Sequence, residues 1–262
     1  MFAPERIRII KGILVDKKHI NVSDLSTLLN VSEVTVRRDL EKLEKENFLT
    51  RTHGGAILST SFQEDEADIA DEEDPLYEER LEIANIACNM VEDRDVILLS
   101  AGPTNLCIAK KLLSKHNITV LTNDLNIASE LSSNTGIKVI IPGGDLDSAS
   151  MMLSGKLAEE NIRRFFVEKA FIEVDGACFE RGYTVQSLEK ASLIQEMNKI
   201  TKQCIIVCHH QAFYNIAFSQ VGPLQMAHKL ITTPKIPDEY KDYFFKNNIQ
   251  LYTAFNTYKG VI

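Results

Sequence analysis

Two adjacent arginines, Arg37 and Arg38, follow Ser32 and Thr35 in the segment SEVTVRRDLEKLEKEN. Arginine bonds two acceptors on a guanine edge or clamps a phosphate, and threonine bonds a phosphate or touches a thymine methyl. A serine just ahead of a helix caps its N-terminus. A second set of small and polar residues recurs at the ends of apolar runs: Ser100-Ala101-Gly102-Pro103-Thr104-Asn105, Thr122-Asn123-Asp124, Gly143-Gly144 and Asp175-Gly176. A glycine-containing loop that opens a helix offers amide donors and a favourable dipole to an anion, so Gly102, Thr104 and Asn105 are expected to hold a phosphate.

Other clusters point to less. Cys204, Cys208, His209 and His210 are metal-ligating types, but the two cysteines would stand roughly 13 Å apart on an extended strand, too far for one ion. Asp124, Asp145 and Asp175 offer carboxylates for proton transfer between aldose and ketose, a reaction that also needs a positioned cation. Asp beside Gly is ordinary turn chemistry. No catalytic residue, metal or cofactor is therefore expected. Five cysteines, an odd number without framework spacing, suit free thiols in a reducing compartment.

The arginines need a helix to present them. Ile7, Ile10, Ile13 and Leu14 predict a first helix from near Pro4 to Asp16, and Ile20 and Val22 a short strand. Ser23 reads as the cap of a second helix carrying Leu25, Leu28 and Leu29, which ends at Asn30. Ser32 then caps a third helix with the stripe Val36, Leu40 and Leu43. FLTRT and AILST, joined by His53-Gly54-Gly55, predict a hairpin in which Arg51 and His53 face the same ligand as the third helix. Helix-turn-helix plus hairpin is a winged helix.

Charge divides the chain further. Residues 1–56 carry ten Lys/Arg and eight Asp/Glu, residues 57–80 one Arg and ten acids, and the remainder 18 basic and 19 acidic residues. Nearly all of the formal net charge of −8 thus sits in FQEDEADIADEEDPLYEER, a tether composition, with mimicry of DNA as the alternative. Residues 1–60 are assigned to a DNA-binding winged helix-turn-helix, 61–80 to an acidic linker and 81–262 to an α/β domain. Glu5, Arg6, Arg8 and Lys11 replace the apolar core of a signal peptide, and no apolar run approaches the roughly 18 residues of a membrane span. A cytoplasmic protein without membrane contact is expected.

In the third segment DVILLS, ITVLTN, KVIIPGG, KAFIEVDGA and CIIVCHH alternate with helical patterns, among them LCIAKKLLSK, LNIASELSS, ASMMLSGKLAEENIRRF and SLEKASLIQEMNKIT. That order predicts a mostly parallel sheet covered on both faces, with ligands outside the carboxyl ends of its strands.

VSDLSTLLNVSEVTVRRDLEKLEKENFLTRTHGGA resembles the DeoR-type winged helix throughout, including the TVRRDL and RTHGGA blocks. The later loops resemble the effector domain of the same family, which has the fold of sugar-phosphate isomerases and related transferases. Where the family has a DSGTT-like loop, a TN pair, a GG and an aFig.dG block, this chain reads LSAGPT, LTND, IPGG and KAFIEVDG. The resemblance implies a sequence-specific transcriptional regulator, a repressor of a carbohydrate or metabolite operon, binding operator DNA through Ser32, Thr35, Arg37, Arg38, Arg51 and His53. It also implies an effector, a phosphorylated sugar or related metabolite, at Ser100, Gly102, Thr104, Asn105, Thr122, Asn123, Gly143, Gly144, Lys169, Asp175 and Gly176. Ser100 stands where the family has an acid, Pro103 removes an amide, and His209-His210-Gln211-Ala212-Phe213 replaces D-x-x-K-F. Lys169 could supply the missing charge, with a solvated strand-edge lysine as the alternative. Two alternatives stay open: a regulator whose sensor is silent or controlled by a protein, and an isomerase-like enzyme. One winged helix contacts few base pairs, so a homo-oligomer is expected.

Overall fold

Apolar side chains three and four residues apart make the first segment helical, each helix burying one stripe. The computed structural model describes residues 6–7, 9–11, 13–14, 19–29, 31–45, 48–52, 54–58 and 74–253, and the chain divides into two units, Met1–Tyr77 and Glu78–Ile262. In the first unit the described residues between 6 and 14 form α1, with Ile10 and Leu14 fully buried. There follow β1 (His19–Asn21), α2 (Val22–Leu29), α3 (Glu33–Lys45), β2 (Leu49–Arg51) and β3 (Gly55–Leu58). α2 buries Val22, Leu25 and Leu29, and α3 buries Val36, Asp39, Leu40 and Leu43. The strands pair antiparallel in the order β1-β3-β2, completing a winged helix-turn-helix.

Three details differ from the sequence reading. Val22 opens α2 instead of closing the strand, so Ser23 lies within the helix, and the Asn21 amide ahead of it bonds Asp24 at 3.3 Å. Leu28 is 65% exposed, because the core meets only the Val22, Leu25 and Leu29 side of so short a helix. Gly55 serves close approach and not a turn: a Cβ there would overlap the Ile20 carbonyl of β1. Pro4, Asp16, Asn30 and His53 lie outside the described residues.

The second unit begins in the stretch read as linker. Asp74 accepts the Leu76 amide at 3.0 Å, and α4 (Tyr77–Asn89) starts with Glu78 and Glu79 in its first turn, where the helix dipole favours acids. Then come β4 (Val96–Leu99), α5 (Pro103–Leu112), β5 (Ile118–Thr122), α6 (Leu125–Ser132), β6 (Ile137–Ile140), β7 (Asp145–Asp147), β8 (Met152–Ser154), α7 (Gly155–Ile162) and β9 (Val167–Glu173). The chain continues through β10 (Gly176–Cys178), β11 (Gly182–Val185), α8 (Leu188–Lys199), β12 (Thr201–Val207), β13 (Ser219–Gly222), β14 (Lys229–Thr232), α9 (Asp238–Lys246) and β15 (Gln250–Thr253).

Seven strands form one wholly parallel sheet in the order β15-β14-β12-β9-β4-β5-β6. Ala170, Ile172, Cys204, Ile206 and Leu230 pack with Ala158, Ile162, Ile194, Met197, Tyr240 and Phe244 of α7, α8 and α9. The alternate residues Ile97, Leu99, Phe171, Ile205, Val207 and Ile231 are equally buried on the other face. The helix expected from Ala149 is shorter: Met152–Ser154 pair antiparallel with Asp145–Asp147 as a hairpin, and only Gly155–Ile162 is helical. No helix among the described residues is long and apolar enough to cross a membrane.

Glu79 anchors the start of this unit. Its carboxylate receives Lys235 Nζ at 2.7 Å and His210 Nδ1 at 2.7 Å, joining α4 to the loops after β14 and β12. Burial opposes its charge, but the hydrogen bonds from Lys235 and His210 prevail and bring the Glu79 pKa down to about 2. A carboxyl depressed from an ordinary 4.5 contributes stability above that value and loses it as pH falls toward 2. Acid unfolding followed by circular dichroism should therefore start earlier in Glu79→Gln, which is also expected to lose about 1–3 kcal/mol at neutral pH. In the first unit, Gly55→Ala should cost about 1–3 kcal/mol by forcing β1 away. Gly54→Ala, whose Cβ meets nothing within 4 Å, should leave guanidinium melts unchanged.

Candidate functional site

The first unit displays its cations on the far side of α3 from its core. Ser32 Oγ accepts the Thr35 amide at 3.3 Å and lies 2.9 Å from Thr35 Oγ1, the capping that the sequence suggests. Ser32, Arg37 and Arg38 are exposed and Thr35 is half-buried, while Val36, Leu40 and Leu43 are fully buried. Arg37 pairs loosely with Glu33 one turn back, at 3.5 Å. The turn before α3 is held by Ser26, whose hydroxyl donates to the Val31 carbonyl at 2.6 Å.

Arg51 has a bracing role. Its guanidinium reaches Glu41 at 3.1 Å and its amide donates to Glu44 Oε1 at 3.1 Å, so β2 is tied to the last turns of α3. Asp39, on the buried side of α3, accepts Arg6 Nε at 2.9 Å and joins α1 to α3. An acid at a core position of an amphipathic helix is a sequence signal, but its partner 33 residues away is not.

In the second unit the chain runs outward through β4, β5 and β6, then returns to place β9 on the other side of β4. At such a reversal the connecting loops diverge and leave a crevice beyond the carboxyl ends of the strands. A cavity of about 460 Å³ lies there. Its lining comes from the loop after β4 (Ala101, Gly102, Pro103), from α5 (Leu106), from the start of α6 (Asp124, Asn126) and from the hairpin (Asp147, Ser150, Met152). Asp175 after β9 and Gln186, Ser187 and Lys190 at the start of α8 complete it.

Of the residues expected at an effector site, Gly102 and Asp175 line this cavity. Ser100, Thr104, Asn105, Thr122 and Asn123 are buried next to it. Their polar side-chain atoms are engaged in the protein except Thr104 Oγ1 and Asn105 Oδ1, which have no hydrogen-bond partner among the described residues. Asn105 Nδ2 donates to the Ser100 carbonyl at 2.8 Å and the Phe171 carbonyl at 3.1 Å, and Ser100 Oγ accepts the Glu173 amide at 2.9 Å. Asn123 Oδ1 accepts the Ala101 amide at 3.0 Å and its Nδ2 donates to the Leu153 carbonyl at 3.1 Å, while Thr122 Oγ1 accepts the Asp124 amide at 3.2 Å. These side chains shape the loops. Gly143 and Gly144, at φ 72° and 117°, form the bend before the hairpin, and Gly176 packs against Thr184 and Asn215.

Lys169 lies elsewhere. It stands four residues before the carboxyl end of β9, where Nζ meets Asp95 at 2.6 Å and the Met90 carbonyl at 2.8 Å. The cation in the cavity is Lys190, half-buried and 3.9 Å from Asp175. Sequence reasoning passed it over because a lysine one turn into an amphipathic helix looks solvated. The Ser187 cap three residues before it was the available signal, since it orients that first turn.

Asp124 is the best-anchored acid of the cavity. Its Oδ1 accepts the Asn126 and Ile127 amides at 2.8 and 3.2 Å, capping α6, and its Oδ2 accepts the Gly102 amide at 3.2 Å. Burial raises its pKa, a shift that these amides and Lys190 only partly offset. Cys204 and Cys208 lie within the core, where burial pushes both thiols up to about 12.

Comparison with known proteins agrees with both halves. Residues 6–62 match the model of the DeoR-like helix-turn-helix domain, and residues 76–233 that of the DeoR C terminal sensor domain. Among curated proteins, the chain is 36% identical to the HTH-type transcriptional regulator YulB of Bacillus subtilis, over 88% of this chain and 89% of that one. It is 32% identical to the HTH-type transcriptional repressor GlcR of the same organism, over 96% of each. Its identity to the transcriptional repressor AccR of Agrobacterium fabrum is 30%, over 85% and 86%. With a DNA-binding half and a sensor half each matched in order, the chain belongs to the DeoR family of transcriptional regulators.

Proposed function

We propose that this protein is a cytoplasmic repressor of a carbohydrate or metabolite operon, which holds operator DNA through α3 and releases it when a small metabolite fills the cavity at the β4/β9 reversal. The observation that carries the reading is that cavity, of about 460 Å³, in a chain of a DNA-binding family. Its size suits a monosaccharide-scale ligand. Ser32 capping α3, with Thr35, Arg37 and Arg38 on the side away from the core, supports major-groove contact by those residues. Arg51 supports the interface by fixing the wing against α3.

Repression by effector release requires that the ligand bind two conformations unequally, since equal affinity shifts nothing. Two or more copies on repeated half-sites supply the specificity that one winged helix lacks. The resemblance implies a phosphorylated sugar as the effector. Turnover is not part of the reading, because Asp124, the carboxylate best placed to act as a base, already accepts three amides.

Fluorescence anisotropy on DNA from upstream of the gene, at fixed salt, tests the whole reading, with a panel of sugars, polyols and their phosphates. Specific binding that one compound weakens is the expected outcome. Specific binding that no compound alters favours a sensor controlled by a protein, and no preference over random DNA refutes the regulator. Arg38→Ala should weaken specific binding by about 1–3 kcal/mol if Arg38 makes a bidentate base contact, and unchanged affinity removes that role.

A further inference from the structure

The loop between β4 and α5 has the outline of an anion site, with a helix N-terminus behind Gly102 at φ 152°. Its backbone donors, however, are already taken. The Ser100 amide donates to the Phe171 carbonyl at 3.1 Å, that of Ala101 to Asn123 Oδ1 at 3.0 Å, and that of Gly102 to Asp124 Oδ2 at 3.2 Å. Pro103 has no amide proton. The Thr104 and Asn105 amides donate to Glu173 Oε1 and Oε2 at 3.1 and 3.0 Å, and the Leu106 amide closes the first helical bond to Gly102 at 3.0 Å.

Glu173 therefore supplies from within the negative charge that the N-terminus of α5 attracts. It is the last residue of β9, it is buried, and it stands at the glycine of the family's aFig.dG block. A Cβ on Gly102 would collide with its carboxylate, so the loop is fitted closely around this group. Outside the loop the cavity wall carries three more carboxylates, Asp124, Asp147 and Asp175, against the single cation Lys190. A phosphate entering here would meet no vacant amide in residues 100–106, an excess of like charge, and a lysine already facing Asp175. Hydroxyl or ammonium groups would instead meet carboxylate acceptors, together with the side-chain amides of Asn126 and Gln186.

We propose that Glu173 permanently occupies the place of a phosphate, and that the cavity takes a donor-rich ligand without phosphate, a free sugar, polyol or amino sugar. This rests on the reading of the cavity as the effector site and departs from the phosphorylated effector that the family resemblance implies. Carboxylates bond sugar hydroxyls well but repel phosphate, so selection between a sugar and its phosphate follows directly from the lining.

The experiment uses the full-length chain and thermal unfolding with inorganic phosphate as the probe, on the wild type, Glu173→Gly and the isosteric Glu173→Gln. The wild type and Glu173→Gln should show no phosphate-dependent rise in Tm, and Glu173→Gly, with two amides vacated, should acquire one that grows with concentration. A wild type that phosphate stabilises as much as Glu173→Gly, or a folded Glu173→Gly that phosphate leaves unmoved, overturns the proposal. Should Glu173→Gly fail to fold, the wild type decides between hexoses, hexitols and hexosamines and their 6-phosphates. Greater stabilisation by the free compound supports the proposal, and greater stabilisation by its phosphate overturns it. Failure of the sensor reading has a separate signature, an operator affinity that no compound shifts.

Discussion

The Glu173 carboxylate joins the end of β9 to the start of α5 across 68 residues of sequence, and the architecture around the cavity depends on that bridge. The amides at the start of a helix have no partner within it, and leaving them bare in an apolar interior is costly. Glu173 satisfies two of them, Ser100 and Asn105 link the ends of β4 and β9 to the start of α5, and Asp124 secures the Gly102 amide. Burial pushes the Glu173 carboxyl above its ordinary range, against the pull of Lys190 and the two amides. The reversal of strand order at β4 and β9 is held open as a cavity because each loop there is tied down by a named polar partner.

The winged helix follows a simpler rule. Its core is a set of apolar stripes with Val36, Leu40 and Leu43 at the centre, and its ion pairs work at the edges of that core. Arg6 with Asp39 sets α1 against α3, and Arg51 with Glu41 and Glu44 sets the wing against α3. Arg51 thus fixes the angle of β2 beside α3. An exposed pair of this kind matters more for geometry than for stability, since solvent screens most of the attraction.

Periodicity in the sequence made most of the architecture legible. Helical spacing predicted α3 and its stripe, and five apolar runs alternating with helical patterns predicted the parallel sheet. The misreadings occurred where local pattern is ambiguous. Met152–Ser154 read as the start of a helix because apolar residues run on into α7, and only pairing with Asp145–Asp147 makes them a strand. β14 and β15 passed unnoticed because KLIT and QLYT are too short to carry a period. In the small antiparallel sheet β10-β11-β13, the neighbouring strands β10 and β11 are too short to carry a period, and β13 joins them from farther along the chain.

By itself the sequence determined which faces are buried and which loops gather at the carboxyl edge of the sheet. These follow from hydrophobic burial and backbone preference, which are properties of neighbouring residues. It did not determine the electrostatics of the cavity. Lys169 and Lys190 look alike in sequence, yet one lies deep along β9 on Asp95 and the other faces the cavity beside Asp175. Nor does Glu173, inside an apolar strand, announce that it will cap a helix begun 70 residues earlier. Only the tertiary structure decided these, because the partner of a buried charge is chosen by distance in space, and the strand order that sets that distance is a property of the whole sheet.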